Sequence, residues 1–158
     1  LVDLFFMQVR NIFRVDGLYF IALEERFGTK VASEIDRGVW EQMAKREAQT
    51  LSALVHQGAT PGIPEIIRLL RLSGWALDQP FKTIEVAENH ARIRIDRCRT
   101  QETRLQKQWG EFPCRDVRLG YLSAFAQTLN PGVEVTCVFC PPDKHPKEAW
   151  CAWEFRQK

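Results

Sequence analysis

The stretch FKTIEVAENHARIRIDR (residues 81–97) decides the fold, because it is where the period of the chain changes. Ile84 and Val86 alternate with polar residues on one side of Glu88-Asn89, and Ala91, Ile93 and Ile95 alternate on the other. Side chains on a strand point alternately to the two faces, so this pattern predicts a β-hairpin with a tight turn, one face apolar and one solvated.

The same logic extends toward the C-terminus. Thr100 to Gly110 predicts a polar helix, and Asp116 to Leu129 a second one, with Val117, Tyr121, Leu122, Phe125 and Leu129 inward and Asn130-Pro131-Gly132 as its stop. Val133, Val135, Cys137 and Phe139 alternate on a third strand that Pro141-Pro142 ends, and Cys151, Trp153 and Phe155 share one face of a fourth. Before residue 80 the period is helical. Leu4, Phe5, Val9, Ile12 and Phe13 predict a helix ending near Arg14 to Gly17; Leu18 to Glu25 a short one that Gly28 stops; and Thr29 to Val55 a long one with Ile35, Val39, Met43 and Leu54 inward. A loop at Gly58, Pro61 and Gly62 precedes a helix opened by Pro64 and Glu65 and ended by Ser73-Gly74. The expectation is a single α+β domain over residues 1–158, with a mainly helical part (1–79) packed on a four-stranded antiparallel sheet and a candidate metal site (80–158).

Composition narrows the function classes. Basic and acidic residues number 22 and 20 and are interleaved, for a net charge of +2, so no broad positive field is available to gather nucleic-acid phosphates. Arg92 and Arg94 fall on one solvated strand face, where they serve solubility. No apolar run approaches the roughly 20 residues that span a bilayer. At this length folding buries roughly 70% of the unfolded chain's surface, so disulfide staples are not required. An odd cysteine count and no charged-then-apolar leader predict a cytoplasmic protein.

The chemistry lies in the five cysteines, Cys98, Cys114, Cys137, Cys140 and Cys151, all in the second half. Cys137 and Cys140 form a C-x-x-C, but positions i and i+3 of a flat strand face opposite sides, so the pair meets only if the chain bends. Pro141-Pro142 directs Cys140 toward the sheet end, while Cys137 is expected in the core beside Val135 and Phe139. Cys140 and Cys151 flank one hairpin and come close. Cys114 opens a helix whose N-terminus favours its thiolate. A fourth ligand comes from Glu102 or Cys98, and three thiolates with either make a tetrahedral donor set suited to zinc. The competing reading is that the cysteines fill the core, where free thiols are common. His90 and His145 read as loop residues, and Trp75, Trp109, Trp150 and Trp153 as core and interface. Arg14 and Asp16 read either as a pair lining a ligand cavity or as a helix cap with a surface partner.

These residues also carry a resemblance. Phe112-Pro113-Cys114, Gly120-Tyr121-Leu122-Ser123, and Cys140 with Cys151-Ala152-Trp153-Glu154-Phe155 around a hairpin resemble the 4-vinyl-reductase-type domain and its relatives. Those relatives are the phenol-sensing regulator input domains and the aminothiazoline-carboxylate hydrolase-like proteins. Phe13-Arg14-Val15-Asp16-Gly17 together with Cys140-Pro141-Pro142-Asp143 is most similar to a prokaryotic cytosolic branch of that group. The resemblance implies a small-molecule binder, often a homodimer, with a structural zinc held by one glutamate and three cysteines beside a ligand cavity. It maps Glu102, Cys114, Cys140 and Cys151 onto the ligands. The Glu102-to-Cys114 interval is shorter than that group's and the Cys140-to-Cys151 loop longer, which keeps Cys98 as the alternative to Glu102.

Three function classes follow. The first is a small-molecule-binding domain with a structural zinc, where Arg14 or Trp75 meets the ligand. The second is a hydrolase acting on a small cyclic or thiol-bearing compound, with metal-bound water or an activated cysteine attacking and Glu102 as base. The third is a Cys137–Cys140 redox pair, which lacks the helix N-terminus that would lower a thiol's pKa. Four protein ligands leave no open position on a zinc, which favours the first.

Overall fold

A computed structural model describes residues 1–55 and 58–158. Its elements are α1 (Val2–Val55), α2 (Ile63–Leu70), α3 (Gly74–Asp78), β1 (Lys82–Val86), β2 (His90–Ile95), α4 (Arg99–Gln106), α5 (Cys114–Leu129), β3 (Val133–Phe139) and β4 (Cys151–Gln157). The strands form one antiparallel sheet in the order β1-β2-β4-β3: each hairpin pairs its own two strands, and β2 pairs with β4 to join them. Its polar face alternates charge across strands, with Arg92 between Glu85 and Glu154. Such pairs support register without a second covering layer.

The apolar face carries Ala91, Ile93, Ile95, Val133, Trp153 and Phe155, buried beneath Leu122, Phe125 and Ala126 of α5 and Ile63, Ile66 and Leu70 of α2. This is the helix-on-sheet α+β arrangement the periodicity predicted. Ser73 caps a short α3 by accepting a hydrogen bond from the Ala76 amide, a turn the Ser73-Gly74 stop concealed.

The helical half departs from expectation in two ways. No break occurs at Arg14 to Gly17; α1 is interrupted only at Gly28, whose φ of 80° and ψ of 161° suit glycine alone. Its two arms, residues 2–27 and 29–55, fold back on each other. Phe13 stacks on Trp40 with ring centroids 5.5 Å apart, and Asp16 meets Asp36 across the same seam. The second difference is the buried stripe of the second arm, which is Ala32, Asp36, Trp40, Ala44 and Ala48. Ile35, Val39, Met43 and Leu54, expected inward, are 43%, 57%, 42% and 73% exposed. Close approach to α5 needs small side chains on the contact face, so alanines win the seam over the larger apolar residues one position earlier. Leu4, Phe5 and Ile12 of the first arm also face outward.

Candidate functional site

The site lies where both arms of α1, α3, α4 and the start of α5 meet the end of the sheet. The 107–113 connection that leads into α5 is tied down from α4. Gln101 donates to the Phe112 carbonyl and accepts from the Phe112 amide, each at 2.8 Å, and its side chain is buried. Arg104, also buried, donates to the Trp109 and Gly110 carbonyls and forms a two-pronged ion pair with Glu24 at 2.9 and 3.1 Å. That pair joins α4 to the first arm, and the hydrogen bonds from Arg104 and Thr29 outweigh burial to hold the Glu24 carboxyl below its usual range.

Cys114 is thus fixed at the first residue of α5. The Arg115 amide donates to the Pro141 carbonyl at 2.9 Å, and the Arg115 guanidinium forks onto Asp143 at 2.8 and 3.0 Å. These contacts bring the turn after β3 against the start of α5. The Cys140 thiol, fully buried, lies near the thiols of Cys114, Cys137 and Cys151. Its partners hold Cys140 protonated, its pKa pushed up. Cys114 is brought down to about 7 by the bond from Cys140 and, against the cost of burial, by the neighbouring Arg118 guanidinium. Cys98, at the exit of β2, is pushed up to about 12 by burial and by the proximity of Cys114 and Cys151. Trp153 donates its indole N–H to the Cys151 sulfur at 3.3 Å.

Cys137 therefore does more than fill the core. It packs against core residues but also reaches Cys140, because the ladder between β3 and β4 shifts register between Cys137 and Phe139. A bulge adds one residue to the strand, so a C-x-x-C that would straddle a flat strand brings both thiols together. Glu102 is placed elsewhere. It accepts two hydrogen bonds from Arg97 at 3.1 Å and faces an outer groove beside Phe81 and Arg97. Cys98 is the residue that lies with the other thiols. The donors are all sulfur, which suits zinc in kind. Among the described residues, however, no three His, Cys, Asp or Glu side chains stand at the spacing of a metal shell.

Beside the thiols opens a cavity of about 580 Å³. Phe13, Phe20, Trp40, Trp75 and Phe112 supply aromatic wall, and Cys98, Cys114 and Cys151 form the side toward the sheet. Asp16, Asp36, Gln79 and Arg118 belong to its polar lining, together with Arg14 and side chains of α4. Arg118 lies over three rings, 5.3 Å from Trp40, 5.3 Å from Trp75 and 5.1 Å from Tyr121. Asp16 shares a hydrogen bond with Asp36 and another with Trp40, and burial raises its pKa despite Arg118. Asp36 is raised to about 7, by burial first and by the Asp16 charge second. Two carboxyl groups in contact must share a proton. Of the sequence-derived candidates, Asp16 is a cavity residue paired within the fold, Arg14 lies at the rim bonded to Asn11, and Trp75 is in the wall. Asp36, Gln79 and Arg118 carried no sequence signal, since each reads as an ordinary polar position on a helix or at its end. His145, expected to be exposed, is half-buried between Trp150 and the Pro146 and Ala149 carbonyls, and stays away from the thiols.

With this geometry in hand, comparison with known proteins places the chain. The model of a family of unknown function, DUF6125, matches residues 1–157. The chain belongs to that family. No curated protein matches it. Among solved structures, it is similar to the phenol-responsive sensory domain of the transcription activator PoxR, crystallised with phenol. The TM-score is 0.58 at 13% identity, over 91% of this chain and 73% of that one. At that identity the likeness is one of fold. Among the described residues no helix is long and apolar enough to cross a membrane.

Proposed function

We propose that this chain is a small-molecule-binding domain whose ligand occupies the cavity between α1 and the sheet end. The observation that carries the reading is the cavity itself: about 580 Å³, with aromatic rings in its wall and polar side chains from α1, α4 and α5 among them. That is the usual build of a small-ligand site. The fold likeness to a domain that binds phenol supports it. The test is titration of the purified chain with 2-methylnaphthalene, followed by calorimetry and by emission from Trp40 and Trp75. Saturable binding with one site per chain is expected, and Ile21→Trp, which fills the cavity from the first arm, should abolish it. Binding unchanged in that variant would place the ligand elsewhere.

The finer proposal is that the thiol cluster holds a structural zinc through Cys114, Cys140 and Cys151, with Cys98 or Glu102 as fourth ligand. Convergence of the sulfurs on Cys140 supports it, and the position of Cys98 supports that residue over Glu102. Zinc would supply cross-linking of α5, the β3–β4 hairpin and the exit of β2. Elemental analysis of protein purified without added metal, paired with thiol counts before and after chelation, decides it. One zinc per chain supports the site; none, with all five cysteines titrating freely, refutes it. A second reading, a cysteine-dependent hydrolase, is favoured by Cys114, which lines the cavity beside Arg118 with a depressed pKa. Selective alkylation of Cys114 near neutral pH, blocked by a cavity ligand, would favour it.

A further inference from the structure

Two buried polar atoms at the inner end of the cavity lack any partner in the fold: Nη1 of Arg118 and Oε1 of Gln79. A buried donor or acceptor left unpaired costs free energy, so such atoms in a cavity wall mark where a ligand completes the hydrogen bonding. Both residues line the cavity: Gln79 directly follows α3, four residues after Trp75, and the Arg118 guanidinium lies over the Trp75 ring. Gln79 is 6% exposed, and its backbone is held by the Ala76 carbonyl and the Lys82 ammonium.

The charged groups around this donor and acceptor carry both signs: Arg118 faces Asp16, Asp36 and Cys114. Asp16 and Asp36 lie against each other and share a proton. An anionic ligand would compete with that pair for Arg118, and a cationic ligand would have to displace the shared proton. A neutral group with an oxygen acceptor beside an N–H donor satisfies both orphan atoms and disturbs no charge. We propose that the inner end of the cavity recognises the neutral amide edge of an aromatic carboxamide or lactam, the carbonyl oxygen accepting from Arg118 and the N–H donating to Gln79, with the ring against the cavity's aromatic wall. The inference rests on the cavity being the ligand site.

The test is calorimetric titration of the full chain with four ligands sharing one ring system: 2-naphthamide, 2-naphthoate, 2-(aminomethyl)naphthalene and 2-methylnaphthalene. The amide should bind at least tenfold more tightly than each of the other three. In Gln79→Leu and Gln79→Met that advantage should fall to less than threefold, with 2-methylnaphthalene affinity unchanged. Because the lost atom is unpaired in the free protein, neither variant should melt lower than the parent. Equal affinity for the amide and the hydrocarbon overturns the amide site while leaving the cavity reading intact, and so does tighter binding of either ion. Failure of all four to bind overturns the cavity reading and this inference with it.

Discussion

Asp36→Asn should make the protein more stable at pH 8 while leaving it nearly unchanged at pH 4. The Asp36 carboxyl is 8% exposed and faces Asp16 of the first arm and, from α5, Arg118 and Cys114. Burial and the Asp16 charge raise its pKa from 3.8 to about 7. A carboxyl whose pKa is raised by folding stabilises the native state in its protonated form. That stability is fully present below the unfolded value and lost as pH rises through the folded one. At one pKa unit to about 1.4 kcal/mol, ionisation costs the folded chain on the order of 2–4 kcal/mol by pH 8, the lower figure allowing for the shared proton and for Arg118. Asparagine matches the shape of the protonated acid and does not titrate. Thermal melts of both proteins between pH 4 and pH 8 read the difference directly, at about 2–4 °C per kcal/mol for a chain of this size. The Tm gap should open from about pH 4 to pH 7 and reach roughly 5–10 °C. A gap independent of pH, or a variant less stable at pH 8, would refute the account of Asp36 as a proton-holding group.

Gly28→Ala should destabilise the chain by about 1–3 kcal/mol through backbone conformation alone, because φ is 80° there and no atom lies within 4 Å of the added methyl. Urea unfolding checks it, and an unchanged midpoint would mean that the arms meet through a different turn. Arg104→Met should cost roughly 2–4 kcal/mol, since it strands the half-buried Glu24 carboxylate and the Trp109 and Gly110 carbonyls. Faster hydrogen exchange across residues 99–113 and the first arm is the accompanying sign. The homodimer is a further proposal, supported by Val31, Ile35, Val39 and Met43, an exposed apolar stripe at four-residue spacing on the second arm. Sedimentation should show a dimer that Val39→Glu converts to monomer with little change in far-UV circular dichroism; a monomeric parent chain would remove this role for the stripe.

Much of the architecture was legible along the chain, because strand periodicity is a local property. Residues 81–97, 133–139 and 151–155 each show the alternation of a one-face-buried strand, and the tight turn at Glu88-Asn89 makes the first two strands antiparallel neighbours. Gly28 announced the reversal in α1 because no other residue type tolerates its conformation, and the flanking of one hairpin by Cys140 and Cys151 placed those thiols together. Tertiary structure decided the rest. The second arm carries two stripes at helical spacing, and the one with the larger apolar residues faces outward, because the width of the gap to α5 is set by a helix 80 residues away. The bulge after Cys137 carries no sequence mark, yet it turns that thiol toward Cys140. The polar lining of the cavity draws Asp16 and Asp36 from two arms, Gln79 from the end of α3 and Arg118 from α5. Asp16 carried a cavity reading in the sequence as one of two alternatives; the other three read alone as solvated residues, and only packing removes the water that would otherwise satisfy them.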